Sequence, residues 1–153
     1  MLGYREHQRV GGPVGGLTAL GFAADQPPAL ALVEAFGGWW AGEQVSTLPD
    51  VFEPGTSSHH RGPAHSLSLT AYGATAVFQQ TREIQNQLRF AALQCFQTAQ
   101  LSQNGLQQIV CGTFGLLLHF AAGALPAIPA SYASHVLLDA ATPRGVPVLF
   151  RGF

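Results

Sequence analysis

Between Ile109 and Leu125 the chain reads IVCGTFGLLLHFAAGAL, 17 residues without a formal charge. A run of this length sits at the lower limit for a helix that crosses a bilayer, for which about 20 apolar residues are needed. Otherwise it is the buried centre of a helical bundle. That second solution needs polar surface elsewhere to face water, and the chain has little. Hydrophobic residues make up 47% of it and charged residues 10%, against roughly 25% charged in an average soluble domain. A membrane-associated or obligately packed helical protein follows. The net charge of −1 supplies no basic face and argues against nucleic acid as a partner. A length of 153 residues fits one domain, spanning residues 1–153, with its own core.

Apolar and small residues from about Val10 to Ala24 predict a first helix, stopped at Pro27 and Pro28. Residues 29–45, ALALVEAFGGWWAGEQV, predict a second, with Trp39 and Trp40 suited to a membrane interface or to a core. Gly62-Pro63 reads as a helix start leading into LSLTAYGATAVF. Residues 81–104 are Gln-rich, with Ile84, Leu88, Ala91 and Cys95 at helical spacing, and predict an amphipathic fourth helix. The uncharged run is the fifth. Pro126 and Pro129 separate it from a sixth that carries Tyr132, His135 and Asp139. No strand alternation is evident. The expected fold class is all-α: a compact, membrane-associated bundle of about five to six short helices. The amino terminus has the charge-then-apolar order of a secretory leader, but glycines break the run and the cleavage site is poor, so the segment is expected to be retained. Cys95 and Cys111 are too few and too far apart for a zinc knuckle or redox pair and read as packing residues.

The ionisable residues that do exist are clustered. The stretch LPDVFEPGTSSHHRGPAHS, Leu48 to Ser66, holds Asp50, one of only three aspartates, together with Glu53, His59, His60 and His65. In SHVLLDAATP, His135 and Asp139 are four residues apart, which on a helix puts imidazole and carboxylate on one face. If six helices run up and down, the start of the first, the second connection and the end of the last share one end of the bundle. That end holds His7, Asp50, Glu53, His60, His65, His135 and Asp139, and five of the seven arginines. The positive-inside tendency would face it to the cytoplasm. Taken singly, each has an ordinary explanation: HxxxD recurs by chance, His60 and His65 fit a capping loop, and Asp50 fits a turn or cap. Their coincidence beside apolar helices is what points to function. His119, inside the uncharged run, reads as a packed or lipid-facing residue.

The segments LPDVFEP, HHRGPAHS and SHVLLDAATPRGVPVLF, preceded by His7 ahead of a Gly-rich helix, resemble the YdjM-like family of membrane-associated metal-dependent hydrolases. The match runs through most of the chain in the same order, with long stretches between motifs. It implies a helical inner-membrane protein with metal-dependent hydrolase activity. Many members carry a second aspartate two residues after that of LPD; here Phe52 stands in its place, and Glu53 is the carboxylate nearest to replacing it.

His7, Asp50, His65, His135 and Asp139 are then the expected metal ligands, with His60 and Glu53 as either ligand or general base. Such a mixed set suits zinc or manganese better than calcium or magnesium, as one ion or two. Arg61 is placed to hold an anionic group, or to pair with Asp50 or Glu53. Ser66 and Ser134 are expected to hydrogen-bond neighbouring ligands. The substrate expected is a small molecule or a lipid-type ester, including a phosphoester. The alternative is a non-catalytic protein whose metal pins its helices together, and a soluble cytoplasmic location is the alternative to the membrane.

Overall fold

The computed structural model describes residues 4–52 and 66–141. They form α1 (Tyr4–Phe22), α2 (Pro28–Val45), α3 (Leu48–Phe52), α4 (Leu67–Leu101) and α5 (Gly105–Ala140). The class is all-α, and no strand occurs among the described residues. The count differs from the expected five to six short helices: among the described residues there are four long ones and the single turn of α3. At 35 and 36 residues, α4 and α5 are each about 50 Å long at 1.5 Å per residue.

Three expectations are corrected. The helix foreseen from Val10 begins at Tyr4, which brings His7 onto α1. The third and fourth expected helices are one, α4, because nothing in residues 78–81 breaks it; the Gln-rich composition changes its exposed face and not its backbone. The fifth and sixth are likewise one, α5, despite Pro126 and Pro129. Pro126 has no N–H, so the Ala122 carbonyl loses its normal helical donor. The buried side chain of Gln85 on α4 donates to that carbonyl at 3.1 Å, and the helix continues.

The helices approach closely through small residues. A Cβ on Gly15 would collide with the Gly38 carbonyl, and one on Gly123 with the Glu34 carbonyl. The α1–α2 and α2–α5 contacts therefore have backbone against backbone, the mode by which small residues join helices in lipid. α2 runs antiparallel to α1, and α5 antiparallel to both α1 and α4. Among the described residues the buried hydrophobic side chains are seven alanines and Val136, while His7, Glu34, Gln85, His119, His135 and Asp139 are all buried. The large hydrophobic side chains lie outside, among them Leu17, Leu32, Phe36, Leu101, Leu106 and Ile109. Trp39 and Trp40 belong to that outer surface. Among the described residues, α5 alone is long and apolar enough to cross a membrane.

Candidate metal centre

One hydrogen bond sets the register of the first and last helices. Ser131 Oγ on α5 donates to the Gly11 carbonyl on α1 at 3.0 Å. His7 lies one turn before Gly11 and His135 one turn after Ser131, so in this antiparallel pair the two imidazoles arrive at the same level. Their rings stack with centroids 3.7 Å apart and planes 22° from parallel. Asp139, one further turn along α5, places Oδ1 3.7 Å from His7 Nε2. Its Oδ2 is 3.9 Å from His135 Nε2. From the other side α3, anchored by buried Pro49, presents Asp50 Oδ1 3.5 Å from His135 Nε2. His7, His135 and Asp139 are essentially without solvent exposure, whereas Asp50 is 24% exposed and forms the accessible edge.

The tautomer of the neutral His135 ring is set by geometry. Its Nδ1 is 2.6 Å from the Ser46 carbonyl oxygen, which can only accept, so Nδ1 carries a hydrogen and the neutral ring has its lone pair at Nε2. That lone pair faces oxygens from two carboxylates. A cation between them would be attracted by all three groups. The separations of 3.5, 3.7 and 3.9 Å are too long for hydrogen bonds. Ligand atoms each about 2.1 Å from one ion, by contrast, lie roughly 3–4 Å apart. The ligand atoms of His7, His135 and Asp139 all fall within 4.8 Å of one another. His7 Nδ1 is also buried without a hydrogen-bond partner, a costly state for an imidazole nitrogen unless something further engages the ring. The residues present therefore could hold a metal ion through mixed nitrogen and oxygen donors.

Of the residues singled out in the sequence, His7, Asp50, His135 and Asp139 are brought together. Glu53, His60, Arg61 and His65 lie outside the described residues. The two serines do not act as expected among the described residues. Ser134 Oγ donates back to the Ser131 carbonyl at 2.8 Å. Ser66 caps α4 and lies 3.1 Å from Ser68 Oγ.

A second polar cluster was missed in the sequence. Glu34, on α2 and without exposed surface, takes Arg89 Nε at 2.9 Å on Oε1 and Arg89 Nη2 at 2.6 Å on Oε2. His119 Nδ1 lies 2.8 Å from the same Oε1. Arg89 also donates to the Phe22 carbonyl at 2.9 Å, tying α4 to α1. Thus His119 is packed, as expected, but against a carboxylate. A lone glutamate in ALALVEAFGG, surrounded by apolar residues, was the available signal. Its His119 lies 16 residues before His135 on α5, about 24 Å along the helix, so the two clusters are separate. No family model, curated protein or solved structure matches the chain.

Proposed function

We propose that this is a membrane-associated metal-dependent hydrolase, in which a metal-activated water attacks an ester, phosphoesters included. The observation that carries the reading is the His135 Nε2 lone pair directed at two carboxylates beside a stacked second imidazole. The resemblance of LPDVFEP, HHRGPAHS and SHVLLDAATPRGVPVLF to the YdjM-like family supplies the reaction type. Zinc or manganese suits the donor set, as one ion or two. When bound, it would lower the pKa of a coordinated water toward about 7 and polarise the scissile group.

The chain's own residues divide the remaining work. His7, His135 and Asp139 would hold the ion from the closed side, and the Ser46 carbonyl keeps His135 in the tautomer that can ligate. Asp50 would complete the set from the open edge, where water and substrate would enter. By the family resemblance His65 would be a further ligand, and Glu53 or His60 the base that takes the proton from water. Arg61 holds an anionic oxygen of the substrate. The exposed Arg5 and Arg9 at this end favour a site facing the cytoplasm across the inner membrane.

The near-complete burial of three ligands favours a second reading, a structural metal that locks α1 to α5. Metal analysis after dialysis, combined with Asp139→Ala, separates the two. Catalysis requires a folded variant that has lost the ion and ester hydrolysis; a structural site requires a variant that unfolds. Wild-type protein that takes up neither zinc nor manganese would reject both.

A further inference from the structure

Sixteen residues apart in sequence, Cys95 on α4 and Cys111 on α5 are brought to one level by the turn between the two helices. α4 ends at Leu101 and α5 begins at Gly105, so each cysteine stands six residues from the turn. A contact farther along fixes the same register. Gln85 reaches the Ala122 carbonyl; ten residues on from Gln85 is Cys95, and ten back from Ala122 is Gly112, the neighbour of Cys111. Both cysteines also lie on the sides that the helices turn to each other. Cys95 follows the buried Ala92 by three residues, and Cys111 precedes the buried Gly115 by four, spacings that keep a helical residue on one face. A Cβ on Gly115 would strike the Phe96 ring, so the helices approach closely here. At the short end of the usual interaxial range of about 8–10 Å, facing Cα atoms come roughly 4–6 Å apart, and a disulfide spans about 4.4–6.8 Å.

We propose that Cys95 and Cys111 form a disulfide that staples the far end of the α4–α5 hairpin. α1 stops at Phe22 and α2 starts at Pro28, so beyond the level of Arg89 the two long helices have only each other. Of residues 93–118 only Gly115 is buried, and a region with so little buried surface opens easily. Both thiols are free and half-buried, within reach of an oxidant. The exposed Arg5 and Arg9, which turn the metal centre to the cytoplasm in the reading above, put this end of the hairpin on the opposite side, where disulfides form and persist. The oxidising surroundings, though not the pairing, rest on that orientation. The thiolate of one cysteine attacks a protein or small-molecule disulfide and releases one of its thiols; the second attacks the mixed disulfide at the cysteine sulfur and releases the other. The cysteines lose two electrons and two protons, and the donor disulfide gains them as two thiols.

For the test, full-length protein in detergent is equilibrated with a glutathione redox buffer, its free thiols are trapped with N-ethylmaleimide, and it is digested without reduction for mass spectrometry. The expected product is one linked peptide pair containing Cys95 and Cys111, while Cys95→Ser and Cys111→Ser each carry glutathione on the remaining cysteine. Hydrogen exchange at residues 93–113 is expected to slow about a hundredfold on oxidation, the factor that closing a loop of roughly 15 residues supplies, and to stay unchanged at residues 7–11 and 131–139. Glutathione on both cysteines of the wild type without the linked pair, or exchange at residues 93–113 that oxidation leaves unchanged, overturns the staple. Trapping thiols in intact cells before lysis separates pairing from orientation. A pair that links in the buffer but takes up maleimide in intact cells would uphold the pairing and overturn the cytoplasmic orientation of the metal centre.

Discussion

Glu34 shows what a single side chain imposes on this bundle. Its carboxylate is wholly buried and is held by both nitrogens of a guanidinium fork and by an imidazole. Removing one partner leaves the other charge uncompensated, at a cost of about 3–5 kcal/mol, whereas replacing both by apolar residues often costs little. Arg89→Leu should therefore lower the unfolding midpoint sharply, and Glu34→Leu with Arg89→Leu should recover much of the loss in the same thermal or denaturant measurement. If the double variant is as unstable as the sum of the singles, Arg89 is not there to neutralise Glu34. At this scale the metal centre was more legible than the buried pair. His135 and Asp139 announce themselves by their spacing, and His7 and Asp50 follow from counting helices, because merging two pairs of helices leaves the parity of an up-and-down bundle unchanged. Glu34 and Arg89 are 55 residues apart in sequence and belong to no periodic pattern, so only the fold reveals their contact.

Individual helices depend on contacts that the sequence does not display. At Pro126 the Ala122 carbonyl takes its donor from Gln85, a residue of another helix, so reading the prolines as a boundary was physically sound and wrong. Gln85→Leu should leave the Ala122 carbonyl without a donor in a buried position and cost roughly 1–3 kcal/mol. Hydrogen exchange should then rise around residues 122–129 before it rises elsewhere in α5; uniform protection would count against this role. The glycine contacts make a different demand. Gly15→Leu would push α1 away from α2, since the Gly38 carbonyl occupies the space. As α1 also carries His7, metal affinity should fall by well over the 10–100-fold typical of a disturbed outer-shell partner, although no ligand has been changed. Titration with zinc by calorimetry would read this directly, and unchanged affinity would mean that α1 is held in place by Ser131 alone.

For the whole molecule, the governing feature is the inversion of the usual arrangement, with alanine and ionisable groups inside and leucine, phenylalanine and isoleucine outside. In water so much exposed apolar surface would drive association; in lipid it is the ordinary solvent contact. The chain should accordingly sediment with membranes and resist extraction by alkaline carbonate, and quantitative release into the carbonate supernatant would point to the soluble alternative. The charge scarcity that opens the sequence reading made the apolar outer surface legible. Which residues would be inside was not, because a core of alanine and glycine has no large hydrophobic stripe to trace along a helix.

His7 and Asp139, which face each other across the candidate centre, are among the earliest and latest described residues to be synthesised. Any nascent fragment that stops short of Asp139 has an incomplete coordination sphere, however well its first helices are inserted. If the centre holds the proposed ion, a protein wired in this way has no complete site at any point of its translation until the last helix docks against the first.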